Sequence, residues 1–293
     1  MSESVHVPVL LREVLELLNP QAGKIVVDGT LGGGGHTEAI CKQCAKVIAL
    51  DRDVEAINRT ERRLRSVFDV ATLRFVHADY RFFAEALDML EIDKVDGFLL
   101  DLGLSSDQLA DAGRGFSFDS DGALDMRFDA SEGMSASELL LRLPESEIAS
   151  IIYQFGEERH SRKIAQRIVE ARRKEQPIET ARQLAELVRE CVPKSWKNPI
   201  DSATRTFQAL RIAVNDELGA LQSALEQLPE RLKPGGVAAV ISFHSLEDRI
   251  VKNAFRDSRY WNIITSKPIT ASEEEIAQNP RARSAKLRGA VRS

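Results

Sequence analysis

The residue pattern best suited to holding a cofactor is a glycine-rich segment that directly follows an apolar run. Residues 25–27 read Ile-Val-Val and predict a buried strand, and residues 28–36 read Asp-Gly-Thr-Leu-Gly-Gly-Gly-Gly-His. Glycines have no Cβ, so the backbone can approach a ligand closely. Residues 37–41 favour a helix, whose N-terminus would point at that ligand. The pattern predicts a nucleotide-like cofactor, although a tight turn without a ligand has the same local signature.

Aspartates follow four apolar runs at the points where the predicted strands end. The runs lie at 25–27, 46–50, 73–77 and 95–100, and the aspartates are Asp28, Asp51, Asp79 and Asp101. Because helical segments separate the runs, we predict parallel βαβ units in a doubly wound α/β sheet, whose ligands bind beyond the carboxyl ends of the strands. Asp51 stands about twenty residues after the glycine turn, where a carboxylate accepts both hydroxyls of an adenosine ribose. A carboxylate that binds the ribose in this way occurs in both dehydrogenases and methyltransferases.

Two further features distinguish between those enzyme classes. Residues 232–236 read Leu-Lys-Pro-Gly-Gly before a late apolar run, which is frequent in S-adenosylmethionine-dependent methyltransferases. The glycine turn does not have the G-x-G-x-x-G spacing of the dinucleotide-binding fingerprint, which disfavours a nicotinamide-dependent dehydrogenase. Asp101 occupies the position at which such methyltransferases place substrate-side chemistry, although an aspartate there can also cap a helix.

The composition is that of a globular protein and excludes several classes. Of 293 residues, 43% are hydrophobic and 29% are charged, and the formal net charge is −5. No apolar run reaches membrane-spanning length and the N-terminus lacks the character of a signal peptide, so we expect a cytoplasmic protein. Cys41 and Cys44 form a lone Cys-x-x-Cys pair without further ligands at suitable spacing, so no metal site is predicted.

The alternation of strands and helices breaks after residue 107, in a segment rich in glycine, aspartate and serine. Helical patterns follow from residue 136, and Thr180 with Gln183 resembles a capping box. Later predicted elements are a helix at 203–226, a strand at 237–243 and a polar, partly extended tail from residue 270. The predicted organisation is one α/β domain (1–112 and 206–293) interrupted by a helical domain (113–205).

Sequence blocks in almost every part of the chain match one known family. The blocks lie at 6–10, 28–36, 51–53, 101–109, 114–118, 124–127, 153–159, 204–212, 214–218, 241–249 and 279–283. In these blocks the chain resembles the bacterial 16S ribosomal RNA cytosine-N4 methyltransferases. Residues 121–123 read Asp-Gly-Ala where that family usually has a proline, which would loosen the loop without removing a functional group.

The resemblance implies a Rossmann-like class I S-adenosylmethionine-dependent methyltransferase domain with an inserted all-helical domain that recognises RNA. It also implies the residues that bind the cofactor, which are Gly34, Gly35, His36, Asp51, Tyr80, Asp101 and Gln108. Among these, Asp51 would bind the ribose and Tyr80 would lie beside the adenine. From its place at a strand end we add Asp79, which the resemblance does not include.

The reaction that the resemblance implies is N4-methylation of a cytidine in the decoding centre, the P-site region, of 16S ribosomal RNA. The lone pair of cytosine N4 is delocalised into the ring. A hydrogen-bond acceptor for the N4 protons would localise that pair and later receive a proton. Asp101 is the first candidate for this acceptor, followed by His244 and Asn215. His244 can equally be a structural histidine.

Basic residues are the candidates for contacts with 16S rRNA, the expected partner, within the small ribosomal subunit. They are Arg159, Arg162, Lys163, Arg167, Arg172, Arg173 and Lys174 in one helical stretch, and Arg281, Arg283, Lys286, Arg288 and Arg292 in the tail. Such runs suit phosphates but also occur as solvated helix faces. Phe116, Phe118 and Trp196 could stack on an unpaired base or pack internally. The alternative function is a non-catalytic ribosome-assembly factor that uses the fold only to bind RNA.

Overall fold

The computed structural model describes residues 8–118, 120–193 and 201–293. His6, in the first matching block, and Trp196 lie outside these residues. The chain divides into two compact units, one formed by Met1–Ser105 with Leu218–Ser293 and the other by Ser106–Glu217. None of the helices that the structure describes combines the length and the apolar character needed to cross a membrane.

The first unit begins with alternating helices and strands, as the sequence predicts. Its elements up to residue 105 are α1 (Leu11–Leu18), β1 (Ile25–Asp28), α2 (Gly35–Lys42), β2 (Lys46–Asp51), α3 (Val54–Leu64), β3 (Leu73–His77), α4 (Phe83–Met89) and β4 (Val95–Asp101). β1, β2 and β4 are almost continuously buried, as expected of parallel strands covered on both faces. α3 begins at Asp53, whose carboxylate accepts the backbone N–H groups of Glu55 and Ala56.

The second unit consists of helices and an irregular segment that precedes Ser135. Its helices are α5 (Ser106–Ala110), α6 (Ala136–Arg142), α7 (Glu145–Gly156), α8 (Ser161–Arg173), α9 (Ala181–Cys191) and α10 (Thr204–Asn215). α9 begins with the predicted capping box, in which Thr180 and Gln183 each bind the backbone N–H of the other. Because α10 packs against α6 and α7, this unit extends past the predicted limit at residue 205.

The last elements complete the sheet of the first unit. They are α11 (Glu217–Arg231), β5 (Leu232–Ser242), α12 (Ser245–Ala254), β6 (Trp261–Ile263), α13 (Glu273–Gln278) and β7 (Lys286–Arg292). Among the described residues, the strands form one sheet in the order β3-β2-β1-β4-β5-β7-β6. The first five strands are parallel, and β7 pairs antiparallel with both β5 and β6. The carboxyl ends of the parallel strands therefore share one edge of the sheet.

Apolar clusters cover both faces of this sheet. Val27 and Leu100 share one buried cluster with residues of α4, α11 and α12. Val26 and Leu99 share the other with residues of α1, α2 and α3. Successive side chains of a strand point to opposite faces, so neighbouring residues reach different clusters. The predicted doubly wound α/β architecture is confirmed.

One predicted element is wrong, and one segment has more structure than predicted. The single helix predicted at 203–226 is two helices, because Asp216 has a left-handed backbone (φ +48°) that ends α10 before α11 begins. The tail is partly extended, as predicted, but it is more ordered than the sequence indicates. It forms α13, a 3₁₀ turn at Pro280–Ser284 and β7, whose backbone pairs with two other strands.

Candidate functional site

The glycine-rich turn after β1 has a backbone conformation that would be strained with any residue other than glycine. Gly32 and Gly34 have φ of +48° and +76°, in the left-handed region. A Cβ on Gly34 would lie 2.5 Å from Cγ2 of Thr60, and one on Gly35 would lie 3.0 Å from ring atoms of Pro8. The turn therefore packs closely against Thr60 and Pro8 at the carboxyl end of β1, and α2 begins directly after it.

Side chains from β2 and α3 hold this turn. Asp51 accepts the backbone N–H of Gly32 at 2.8 Å through Oδ2 and that of Asp53 at 2.9 Å through Oδ1. Thr60 donates its hydroxyl to the carbonyl of Gly32 at 2.9 Å. The predicted ribose-binding residue, Asp51, thus also shapes the glycine turn. A carboxylate offers about four lone-pair sites, so its oxygens retain capacity for further hydrogen bonds.

The Asp51 carboxyl has a raised pKa. Burial raises its pKa to about 6, because desolvation disfavours the charged form. The N–H groups of Asp53 and Gly32 lower the pKa, whereas the negative charges of Asp53 and Asp28 raise it. Any ligand that needs the ionised carboxylate will therefore bind less well as the pH falls through this value.

Asp101 ends β4, next to the glycine turn. Its backbone N–H donates to Oγ1 of Thr30 at 2.6 Å. Its carboxylate Oδ2 lies 3.8 Å from Nδ1 of His36, and the side chain is 14% exposed. A carboxylate with this small exposed fraction can contact a ligand at the sheet edge, while the protein excludes water from most of its surroundings.

His36 links this carboxylate to the start of the described chain. Its Nε2 lies 3.0 Å from the carbonyl oxygen of Val9. A carbonyl oxygen only accepts, so Nε2 carries a proton and Nδ1 is the nitrogen that faces Asp101. The ring is buried in the first turn of α2. The contacts of His36 therefore connect the Pro8–Leu10 segment, the glycine turn and the end of β4.

Asp28 is a buried carboxylate beneath the turn. It is 1% exposed and accepts the hydroxyl of Thr37 at 2.7 Å and the backbone N–H of Thr30 at 3.2 Å. Burial raises its pKa, although the bonds from Thr37 and Thr30 and the proximity of His36 lower it. Asp28 therefore acts inside the fold rather than on a ligand.

Tyr80 and Asp79 lie after β3, at the same edge of the sheet. A Cβ on Gly29 would come within 3.1 Å of Cβ of Tyr80, so this tyrosine adjoins the start of the turn. Asp79 accepts the backbone N–H of Arg81 at 2.9 Å, and its carboxylate lies 3.3 Å from both Arg52 Nη1 and Arg81 Nε. Asp79 caps a 3₁₀ turn and pairs with two arginines, which is sufficient to account for its place at a strand end.

His244 follows β5 and is the N-cap of α12. Its Nδ1 accepts the backbone N–H of Glu247 at 3.4 Å, and its Nε2 lies 3.2 Å from Oε1 of the same glutamate. Glu247 in return accepts the backbone N–H groups of Phe243 and His244. Nδ1 therefore caps the helix, which supports the structural interpretation, whereas the buried Nε2 has no hydrogen-bond partner among the described residues.

Two predicted site residues belong to the second unit. Gln108 is a buried residue of α5. Asn215 is 2% exposed at the end of α10, where its amide donates to the carbonyl of Met126 at 2.7 Å and its oxygen accepts the N–H of Phe128 at 2.8 Å. Met126 has a left-handed backbone (φ +63°), so Asn215 stabilises an unusual loop conformation.

Several residues of the predicted basic surface in α8 serve the fold instead. Lys163 donates to the carbonyl of Cys191, at the end of α9. Arg172 donates to the carbonyls of Leu140, Leu141 and Leu143, at the end of α6. Arg167 pairs with Glu170 and Glu190. Arg159, Arg162, Arg173 and Lys174 are exposed and have no charged partner among the residues that the structure describes.

The aromatic and C-terminal candidates for RNA contacts are also engaged. Phe116 stacks on Phe128 with ring centroids 5.7 Å apart, and Phe118 meets the edge of Phe207 at 4.7 Å. Arg288 and Lys286 pair with Asp248 in the first unit. These contacts support internal packing for both phenylalanines.

Sequence reasoning missed the threonines that support the turn. Thr30 contacts Asp101, Thr37 contacts Asp28, and Thr60 contacts the carbonyl of Gly32. Thr60 and Gly32 lie 28 residues apart, and Thr30 and Asp101 lie 71 apart. The only local signal was the position of Thr30 beside the glycine cluster.

Comparison with known proteins identifies the family. The model of the MraW methylase family matches residues 3–293. The chain is 47% identical to Ribosomal RNA small subunit methyltransferase H of Rhodopirellula baltica, over 99% of this chain and 92% of that protein. The proteins of the same name from Pelobacter propionicus (46% identity, 97% of both chains) and Deinococcus radiodurans (50% identity, 97% of this chain and 88% of that protein) are similarly related.

Among solved structures, an rRNA methylase from Streptococcus thermophilus aligns with 96% of this chain and 93% of that chain, at 12% identity and a TM-score of 0.45. That similarity is too distant to bear on function. The family model and the relatives each span nearly the whole chain. The chain belongs to the MraW methylase family, and its cofactor is S-adenosylmethionine.

Proposed function

We propose that this protein transfers a methyl group from S-adenosylmethionine to N4 of a cytidine in the decoding centre of 16S ribosomal RNA. The observation that carries the proposal is the carboxylate of Asp101, partly exposed beside the glycine turn and held there through its backbone. The names of the relatives, ribosomal RNA small subunit methyltransferases, support an rRNA substrate. The resemblance in the sequence blocks supports the cytidine and its N4 position.

The residues at the sheet edge fit the cofactor. The glycine turn places the N-terminus of α2 at the carboxyl end of β1, and Asp51 offers carboxylate oxygens to ribose hydroxyls. We propose that His36, Tyr80 and Asp101 complete the contacts that the first unit makes. When bound, S-adenosylmethionine supplies a methyl group already activated by its sulfonium. The predicted contact of Gln108 with the cofactor stays a prediction.

The chain's own groups must orient the attacking nitrogen and remove its proton. Positioning supplies much of the rate, since the methyl group is already activated. The Asp101 carboxylate accepts a hydrogen bond from the exocyclic amine of cytosine, which localises the nitrogen lone pair, and then receives the proton that N4 loses. Nδ1 of His36 faces the same carboxylate at 3.8 Å. His244 and Asn215 are weaker candidates, because Nδ1 of His244 caps α12 and the Met126–Phe128 backbone engages the amide of Asn215.

The proposal is tested with purified protein, S-adenosylmethionine labelled in its methyl group, and small ribosomal subunits that lack the modification. We expect the label to be recovered as N4-methylated cytidine after the RNA is digested to nucleosides. Label on any other nucleoside would refute the proposed specificity. No label at all, from protein that binds the cofactor in calorimetric titration, would favour the non-catalytic assembly factor.

RNA binding is proposed for the exposed part of α8. Arg162 and Arg173 lie on one face of this helix, about three turns apart, which suits contacts to separate phosphates. We expect Arg162→Ala and Arg173→Ala each to reduce the slope of log K against log salt by about 1. The measurement is a salt titration of RNA affinity.

Arg172→Ala is the matched control for that titration. Its guanidinium caps α6 through three backbone carbonyls, so its loss should lower the free energy of unfolding by roughly 2 kcal/mol. The salt slope should remain that of the wild type. Equal slopes in the wild type and in the Arg162 and Arg173 variants would remove α8 from the RNA-binding surface.

The affinity for S-adenosylmethionine should fall in mildly acidic solution. The Asp51 carboxyl has its pKa raised to about 6, and only its charged form is a strong acceptor for two ribose hydroxyls. Between about pH 7.5 and about pH 5 the dissociation constant should rise roughly tenfold, following the loss of the ionised fraction. Calorimetric titration across this range measures the effect. Asp51→Asn should bind weakly with little dependence on pH, and an unchanged profile in that variant would assign the titration to another group.

A further inference from the structure

The end of β4 is held by a side chain rather than by the neighbouring strand. β1 and β4 are paired as parallel strands up to Asp28 and Leu99, and Gly29 continues the pairing by donating its N–H to the Leu99 carbonyl. In a parallel ladder the following bond would come from the N–H of Asp101 to the main chain of the first strand. Here that N–H donates to Oγ1 of Thr30 at 2.6 Å. The Thr30 hydroxyl thus replaces a main-chain acceptor at the point where β1 ends and the glycine-rich turn begins.

Thr30 is itself tightly placed. Its backbone N–H donates to Oδ1 of Asp28 at 3.2 Å. The second oxygen of Asp28 accepts the hydroxyl of Thr37 from α2 at 2.7 Å. A β-branched side chain has few accessible rotamers, and the bond from the N–H of Asp101 restricts that of Thr30 further. A continuous series of contacts therefore runs from α2 through Asp28 and Thr30 to the backbone of Asp101.

On the other side, β5 holds only the residues adjacent to this point. Asp101 is in register with Ile241, and the N–H of Leu102 donates to the Ile241 carbonyl at 3.0 Å. The β5 contact fixes the strand after Asp101, and Thr30 fixes the N–H of Asp101 itself. The direction in which the Asp101 side chain leaves the sheet depends on both.

We propose that Thr30 is a positioning residue for methyl transfer: its hydroxyl fixes the backbone of Asp101 and thereby aims the carboxylate at the reacting nitrogen. The inference rests on the role proposed above for Asp101. It adds a residue that touches neither cofactor nor substrate but controls the geometry of one that does. A displacement of about 1 Å at a reacting group can reduce a rate by up to about a hundredfold, so a modest shift of Asp101 should be measurable.

The test is Thr30→Val, which keeps the shape of the side chain and removes the hydroxyl. We expect kcat for transfer of labelled methyl groups to total rRNA to fall about tenfold, because Asp101 is displaced. The dissociation constant for S-adenosylmethionine should rise by a smaller factor than kcat falls, because Asp101 is only one of several proposed cofactor contacts and Thr30 is not among them. Thr30→Ser, which restores the hydroxyl, should recover most of kcat.

Thr265→Val is the matched control within the same unit. The Thr265 hydroxyl accepts the backbone N–H of Gly289 at 3.0 Å, so this variant loses the same type of bond, from the N–H of a strand residue, in β7. It should lower the melting temperature about as much as Thr30→Val and leave kcat at the wild-type level. Assays are run at a temperature at which circular dichroism shows every variant folded.

The outcomes separate this inference from the proposed function. Wild-type kcat in Thr30→Val, an equal loss of kcat in Thr265→Val, or no recovery in Thr30→Ser would each overturn the positioning role. A loss of cofactor affinity as large as the loss of kcat in Thr30→Val would do the same. Transfer of the wild-type label to a nucleoside other than cytidine would refute the proposed function instead, because total transfer is measured irrespective of the base.

Discussion

Asp101→Asn is expected to lower kcat for cytidine methylation by about 10²- to 10⁴-fold, the range typical of a lost general base. Asparagine keeps the size of the side chain, and the bond from the backbone N–H to Thr30 does not involve the carboxylate. The amide cannot receive the proton that N4 loses, and its NH₂ group would face the amine of the base if it took the position of the accepting oxygen. The affinity for S-adenosylmethionine should change far less than kcat.

Single-turnover transfer of labelled methyl groups to small ribosomal subunits measures this effect, with calorimetric titration for cofactor affinity. Asp96→Asn is the matched control, because it makes the same substitution near the opposite end of β4. There the carboxylate accepts the N–H of Ile25 and pairs with Lys233, both at 2.9 Å. Asp96→Asn should keep the wild-type kcat. Turnover in Asp101→Asn equal to that of Asp96→Asn would exclude Asp101 as the proton acceptor.

Asp51→Ala is expected to weaken S-adenosylmethionine binding about a hundredfold, which corresponds to roughly 3 kcal/mol for two hydrogen bonds from ribose hydroxyls to a charged group. The variant also removes the acceptor for the N–H of Gly32, so the glycine turn loses one of its supports. The lost ribose hydrogen bonds and the weakened glycine turn both raise the dissociation constant for S-adenosylmethionine. Asp51→Asn retains an oxygen acceptor and should lie between the wild type and Asp51→Ala.

Calorimetric titration of the cofactor measures that change, and Asp53→Ala controls for damage to the neighbouring helix. Asp53 lies two residues after Asp51 in the sequence. It is buried and caps α3 through the N–H groups of Glu55 and Ala56. Its loss should cost about 1 kcal/mol of stability, as for other helix caps, with little change in affinity. Equal dissociation constants for Asp51→Ala and Asp53→Ala would remove Asp51 from the ribose site.

The predicted roles of His244 and Asn215 show what residue type alone leaves open. A histidine after a strand and a buried asparagine are both suited to proton transfer or hydrogen bonding, so the sequence favours them as catalytic candidates. In the fold, His244 and Glu247 cap α12 together, and Asn215 holds the backbone of Met126 and Phe128. Their partners come from tertiary packing or helix capping geometry, and a polar side chain that is buried needs such partners whatever its chemistry.

The tail and the helix break show a second limit. Residues 286–292 form β7 because they pair with β5 on one side and β6 on the other, and neither contact can be read from a seven-residue segment. Asp216 ends α10 with a left-handed backbone, and there is no glycine at this position to predict that conformation. Periodicity predicts that a segment is helical, but it does not locate a break at a residue whose conformation depends on its surroundings.

The sequence by itself determined the parallel strands, the glycine turn that follows Asp28, the aspartates at the strand ends and the capping box at Thr180. These features depend on local periodicity, on the missing Cβ of glycine and on hydrogen bonds between residues a few positions apart. Only the tertiary structure decided which polar groups act together at the sheet edge. The bond from Asp101 to Thr30 spans 71 residues and exists because β1 and β4 are neighbours in the sheet, an order that follows from packing of the whole unit rather than from any local segment.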